Sequence, residues 1–280
     1  MYKKGHASAH GLQLKKQFGQ HFLRDQSVVD AMLAGVSLNA QSSIMEIGCG
    51  DGFLTKDLQQ QPHARVRIFE IDPEWAEYVA TTYPHERMEI VQQDILTIDF
   101  ETLREHAPWT LLANLPYQIT FPLFTKIQEH RDLFGESVVM IQEEVAQKFV
   151  ATSGRTYSFV SVYFQHYFEF KLLKKVPPTS FVPAPRVTSR LLWFKPRAQL
   201  DVIEQEEKFW KLLKVCFHQP RRTIKNNLMQ LQMDLSAIPA ELLVLRAQQM
   251  TKEQFLQLWL LINTEPLITC NHKLFCNRLD

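Results

Sequence analysis

Four consecutive residues, Asn114-Leu115-Pro116-Tyr117, combine groups suited to holding a flat ring that bears an amino group. The Asn side-chain oxygen and the Pro116 backbone carbonyl can both accept hydrogen bonds from one NH2 group. The Tyr ring can stack on the base that carries it. The lone pair of an adenine amino group is delocalised into the ring and is a poor nucleophile. Two acceptors that draw both N–H bonds out of the ring plane favour a pyramidal nitrogen with a localised lone pair. That preference is stronger in the transition state than in the flat ground state, so it lowers the barrier. A methyl donor must then lie in line behind the nitrogen, which is a problem of positioning. No general base is evident in the motif, and the proton can leave once transfer has made the nitrogen cationic. A plainer reading of the same residues is a strand end followed by a proline turn.

The elements that would position this motif lie upstream. Residues 109–113 form an apolar run that reads as a buried strand, which places Asn114 at its carboxyl end, where open α/β sheets hold their ligands. Residues 43–47 read as another short strand, followed by Gly48, Gly50 and Gly52 and by a helical pattern from about Phe53. The spacing G-x-G-x-G differs from the dinucleotide fingerprint. Such glycines let the backbone approach a ligand, here as a wall for the methionine part of S-adenosylmethionine (SAM). Residues 64–71 read as a strand carrying Glu70, about twenty residues past the glycine loop, where a carboxylate can hold ribose hydroxyls. Asp94 follows a third apolar run, residues 88–91, and can accept the amino group of the cofactor's adenine. Either carboxylate alone also fits a helix cap. An NAD enzyme would account for the glycines and Glu70, but it has no use for Asn-Leu-Pro-Tyr.

With these motifs in order, the chain resembles the ribosomal RNA adenine N6,N6-dimethyltransferases of the KsgA family. The likeness starts at Lys16-Gln17-Phe18-Gly19-Gln20-His21-Phe22-Leu23. It continues through the glycine loop, Glu70, Asp94 and residues 114–117 to residues 181–189, and reaches residues 219–228. The resemblance implies a Rossmann-like SAM-dependent methyltransferase sheet with a small C-terminal helical domain. It places His21, Leu23, Gly48, Gly50, Glu70, Asp94 and Asn114 at the cofactor, with Asn114 and Pro116 at the reacting amino group. Tyr117 and Phe181 would sandwich the target adenine. The implied reaction is dimethylation of two adjacent adenosines in a hairpin loop near the 3′ end of small-subunit rRNA, where a loop base costs less to unstack than a paired one. Four positions depart from the family pattern: His21 stands where Asn is common, Cys49 where Pro is usual, and Glu143 and Pro220 where basic residues are usual. Pro220 is expected in the first turn of a helix. A large-subunit rRNA adenine methyltransferase of the macrolide-resistance type, and a non-catalytic RNA-binding protein on the same fold, are the alternative readings. The segment 219–228 favours the first over its large-subunit relative, and an intact Glu70, Asp94, Asn114 and Tyr117 set argues against lost chemistry.

The 280 residues carry 31 lysines and arginines against 30 acidic residues, a net charge of +1, so any nucleic-acid surface must come from local clustering. Residues 1–24 and 171–197 are basic and free of carboxylates, and Arg221, Arg222 and Lys225 form a third cluster. Lys15, Lys16, Arg186, Arg221, Arg222 and Lys225 are the candidate phosphate contacts. The expected organisation is a flexible basic arm over 1–25, a methyltransferase domain over 26–197 and a helical RNA-binding domain over 198–280. Residues 143–152 read as a helix, and residues 160–173 and 190–194 as late strands. The prolines at 177, 178, 183 and 185 stiffen a loop that presents Phe181 or buries it as an anchor. Phe209, Leu212, Leu213 and Phe217 share one helix face, and residues 242–245 and 255–262 repeat the helical pattern. The tail after Thr264 reads as partly disordered. Four scattered cysteines read as reduced thiols, and Cys270, His272 and Cys276 do not match a zinc spacing, so no metal is expected. No apolar run has transmembrane length and no signal peptide is evident, which points to the cytoplasm; nothing demands more than a monomer, and the resemblance implies small-subunit rRNA or the immature subunit as the partner.

Overall fold

The computed structural model describes residues 8–9, 12–13, 15, 20–231 and 234–263. The chain divides into two compact units, one formed by Met1–Ala146 with Tyr167–Ala198, the other by Gln147–His166 with Gln199–Asp280. The segment 147–166 belongs with the second unit rather than with the sheet.

In the first unit, Ser8–Ala9 (β1) and Leu12–Gln13 (β2) form a small hairpin, and Phe22–Leu23 (β3) is followed by helix α1, Gln26–Leu33, which Asp25 caps by accepting from the Ser27 N–H. The main sheet is built from Ser43–Ile47 (β4), Arg65–Glu70 (β5), Met88–Gln92 (β6), Trp109–Asn114 (β7), Ser137–Gln142 (β8), Phe168–Val176 (β9) and Ser189–Pro196 (β11). Their order is β6-β5-β4-β7-β8-β11-β9, parallel from β6 to β8 and antiparallel for the last two. Helices α2 (Thr55–Leu58), α3 (Pro73–Thr82), α4 (Thr120–Glu129) and α5 (Glu143–Val150) follow β4, β5, β7 and β8.

The central parallel strands β4, β7 and β8 are largely apolar without alternation because helices cover both faces of such a sheet, while β5 and the edge strand β6 carry polar residues between apolar ones. All five residues of β4 are buried. From β4 the chain winds outward to β5 and β6, then returns to β7 on the other flank of β4. The strand order reverses at that point, and the crevice at the carboxyl ends of β4 and β7 is where a doubly wound sheet binds its ligand.

Residues 20–25 are not a free arm. Phe22 and Leu23 are buried, and β3 pairs antiparallel with Phe181–Val182 (β10), matching Phe181 to Leu23. The Phe22 ring meets Trp75 edge-on at 4.9 Å. Of the expected strand over 160–173, residues 168–173 are strand in β9, while the part before them is helix α6, Phe159–Tyr167, running directly into β9. Most of α6 is apolar, so composition resembles a strand and no helical stripe stands out. The rings find partners within the second unit: Phe164 on Phe149, and Tyr163 on Trp210 at 5.0 Å.

The second unit also holds α7 (Glu206–His218), α8 (Ile224–Leu228), α9 (Ala240–Leu243) and α10 (Lys252–Asn263). Pro220 lies in the α7–α8 turn and not in a helix's first turn, because Thr223 caps α8. The buried Asn227 side chain clips that turn, donating to the Cys216 and Gln219 carbonyls and accepting from the Gln219 N–H.

Candidate active site

The glycine loop after β4 takes left-handed backbone angles that residues with a Cβ rarely adopt: φ is +52° at Gly50 and +81° at Gly52. Space is closed there as well. A Cβ at Gly50 would lie 2.7 Å from the Phe22 ring, and one at Gly52 would run into the Tyr83 ring. The Phe22 segment therefore packs directly onto the loop, and the Gly48 N–H bonds the Phe69 carbonyl at 2.8 Å.

Glu70, at the end of β5, is 6% exposed and accepts from the Gly50 N–H (3.1 Å), the Asp72 N–H (2.9 Å) and the Cys49 thiol (Sγ–O 3.7 Å). Burial pushes its carboxyl, and the neighbouring Cys49 thiol, above their ordinary values. The backbone donors engage one lone pair on each Glu70 oxygen and leave others for a ligand's hydroxyls. Past β6, Asp94 accepts from the Leu96 N–H at 2.9 Å through one oxygen.

The segment that covers these groups is tied at several points. Buried Asp72 accepts from Lys15 Nζ (2.7 Å) and Gln20 Nε2 (3.0 Å), and buried Asp51 pairs with Arg24. The Arg24 N–H reaches the Ser180 carbonyl at 2.8 Å, and His21 Nδ1 donates to the Pro183 carbonyl at 2.8 Å.

At the end of β7, Asn114 Nδ2 donates to the His21 carbonyl at 3.2 Å, which leaves the amide oxygen as the free acceptor. The Pro116 carbonyl accepts from the Ile119 N–H at 3.1 Å, as part of the turn that starts α4. No described group donates to the Leu115 carbonyl, and the Pro116 oxygen keeps a second lone pair, so either backbone oxygen can accept beside Asn114. The Tyr117 hydroxyl shares a 2.7 Å hydrogen bond with Ser189, which fixes its ring plane, and burial pushes its pKa above the ordinary value, so it stays neutral. Phe181 is 3% exposed and packs with Leu23 in the core while still lining the cavity.

One cavity of about 430 Å³ brings together His21, Leu23, Gly48, Gly50, Glu70, Asp94, Asn114, Pro116, Tyr117 and Phe181. Its lining also includes residues that sequence reasoning did not single out, among them Glu46, Asp51 and the half-exposed Ile71. The available signal for Glu46 was an acid inside an otherwise apolar strand. Four carboxyl groups line the cavity and, among the described residues, no lysine or arginine does. Apolar walls, a glycine wall and a carboxylate excess fit a ligand that is part aromatic, part sugar and positively charged, as SAM is.

The basic candidates are dispersed. Lys15 is committed to Asp72 and Glu74, at 2.7 and 2.8 Å, because those carboxylates stand beside it, so it is not a phosphate contact in this arrangement. Lys16 and the Cys270, His272 and Cys276 set lie outside the described residues, as does the tail after Thr264. Arg186 is exposed in the first unit, and Arg221, Arg222 and Lys225 are exposed in the second. Glu143 forms a two-pronged pair with Arg190 at 2.6 and 2.9 Å, so one cation of the acid-free run is neutralised by a carboxylate from another strand end.

Glu46 is 1% exposed, and burial, reinforced by the charge of Glu70, pushes its carboxyl from the ordinary 4.5 up to about 8. The folded chain then holds a proton that the unfolded chain gives up. This contribution to stability is complete below about pH 4.5 and is lost as pH rises to about 8. Glu46→Gln removes the loss, so the melting temperature of the variant relative to the parent should climb between pH 5 and pH 8 in thermal unfolding. A constant difference would contradict the assignment.

A sequence model of the family described as Ribosomal RNA adenine dimethylase matches residues 11–264. Ribosomal RNA small subunit methyltransferase A of Syntrophotalea carbinolica is 35% identical over 216 residues, spanning 76% of this chain and 81% of its own. The protein of the same name from Flavobacterium johnsoniae is 31% identical over 88% of this chain and 95% of its own. The fold is similar to a dimethyladenosine transferase from Plasmodium falciparum (TM-score 0.73, 23% identity, 87% of this chain and 98% of that one). It is also similar to the 23S rRNA methyltransferase ErmE (TM-score 0.68, 23% identity, 87% and 100%). With the match extending from the N-terminal segment over the cavity to the helical unit, the chain belongs to the ribosomal RNA adenine dimethylase family.

Proposed function

We propose that this enzyme dimethylates the N6 amino groups of two adjacent adenosines in the 3′-terminal hairpin loop of small-subunit (16S) rRNA, and thereby contributes to small-subunit maturation. It acts as a cytoplasmic monomer on the rRNA or the immature subunit. Among the described residues no helix is long and apolar enough to cross a membrane. The choice of small over large subunit draws on the names of the relatives above 30% identity and on the segment 219–228. The ErmE likeness concerns the fold and does not weigh on that choice.

The observation that carries the chemistry is the Asn114 amide, pinned through its NH2 so that its oxygen stays an acceptor. Asn114 Oδ1 and the Leu115 or Pro116 carbonyl hold the two N–H bonds of the target amine, and Tyr117 and Phe181 hold the purine ring. Glu70 holds the ribose hydroxyls of the cofactor, Asp94 its adenine amino group, and Gly48, Gly50, His21 and Leu23 shape its methionine end. SAM, when bound, supplies an electrophilic methyl group on a sulfonium. The rest is orientation and water exclusion by residues held in place beforehand. In the second unit, Arg221, Arg222 and Lys225 supply phosphate contacts, and Arg186 does so in the first.

Mass mapping of nucleotides after incubating the protein and SAM with unmethylated small subunits should place dimethyladenosine in the terminal loop; modification of large subunits alone would refute the substrate. Asn114→Ala should slow turnover by about 10²–10³-fold while calorimetric SAM affinity changes little; full turnover would remove its role. Reversing the charge of both Arg221 and Arg222 should weaken RNA binding and reduce the slope of log affinity against log salt by about two. An unchanged slope would exclude that surface.

A further inference from the structure

The carboxyl groups in the cavity differ in how they are satisfied. Asp51 has Arg24, Glu70 has two backbone N–H groups, and Asp94 has one. Glu46 has only the Thr55 hydroxyl, which donates to one of its oxygens at 2.7 Å from the start of α2. It sits on the central strand β4, opposite Ile68 of β5, 1% exposed and yet lining the cavity. No described cation or backbone N–H meets it. A carboxylate so placed cannot keep its charge without a positive partner.

We propose that Glu46 is the counter-ion for the cofactor's cationic end: it carries a proton before SAM binds and releases it to solvent when SAM enters. SAM binding is then coupled to proton release. S-Adenosylhomocysteine, which lacks the sulfonium charge, gains less from the ionised carboxylate and is held less tightly. Glu46 thus favours substrate cofactor over spent cofactor and helps the product leave. The inference rests on SAM being the ligand of this cavity.

The groups facing Glu46 set the sign. Burial and the charge of Glu70 from β5 oppose its ionisation and the Thr55 hydroxyl favours it, while Asp51, engaged by Arg24, and Asp94 past β6 line the same cavity. The Cys49 thiol and Tyr117 are both pushed upward and stay neutral. With Glu46 raised to about 8, SAM affinity should rise with pH below that value and level off above it. His21 also lines the cavity and is the control for any proton not carried by Glu46. The two are separated by substitution.

Isothermal titration of the full chain with SAM at pH 7, in phosphate and in Tris, counts protons from the difference in heat. The parent should release close to one proton with SAM and almost none with S-adenosylhomocysteine. Glu46→Gln should release none, and its preference for SAM over S-adenosylhomocysteine should drop about tenfold, the equivalent of one pKa unit. His21→Asn should keep the release. Parent binding of SAM with no buffer dependence overturns the proposal, as does loss of release in His21→Asn but not in Glu46→Gln. If the parent does not bind SAM, the cofactor assignment of the cavity falls first. Should Glu46→Gln fail to fold, the proton counts of the parent and His21→Asn decide.

Discussion

The hydrogen bond from Asn114 Nδ2 to the His21 carbonyl orders the site. An amide side chain has two faces of opposite polarity, and this bond commits the donor face inward to the backbone. What remains is an oxygen aimed at the cavity, the polarity needed to hold an amine. A single such bond contributes only about 1 kcal/mol net. Its orientation is secured because the His21 segment is fixed elsewhere, by Gln20 on Asp72, Arg24 on Asp51 and β3 on β10. These ties converge on one stretch of chain, so the acceptor at the end of β7 and the loop at the end of β4 are positioned together.

Topology explains why the stretch lands there. Reversal of strand order beside β4 leaves the carboxyl ends of β4, β5 and β7 around one crevice, with a parallel register that aligns Ile47 with Phe69 and Ser43 with Trp109. Each loop leaving those ends carries a functional group. Among the described residues no lysine or arginine lines the cavity, so nothing there opposes a cation while Glu70 and Asp94 accept its polar groups.

Much of this was legible because the signals are local. Asn114 to Tyr117, the alternating glycines, Glu70 and Asp94 each follow an apolar run, and a strand's end can be read from its own residues. Pairings between distant segments cannot be read that way. Burial of Phe22 and Leu23 depends on β10, some 160 residues on, so a basic segment looked like a free arm. Lys15 looked available to phosphate, and Arg190 lay in an acid-free basic run, until Asp72 and Glu143 were seen beside them. Helix α6 lacks a polar face and so mimics a strand. Glu46 is a single acid among apolar neighbours, and its isolation is visible only once Thr55 proves to be its sole described partner.

The central claim, that Asn114 presents a fixed acceptor to the target amine beside a cofactor cavity, is met most directly by a crystal structure of the chain with S-adenosylhomocysteine and a short adenosine-containing loop oligonucleotide. The account predicts a purine between Tyr117 and Phe181, with N6 within hydrogen-bonding distance of Asn114 Oδ1 and facing the cofactor sulfur. A purine bound elsewhere, or an Asn114 side chain turned to offer its NH2, would contradict it.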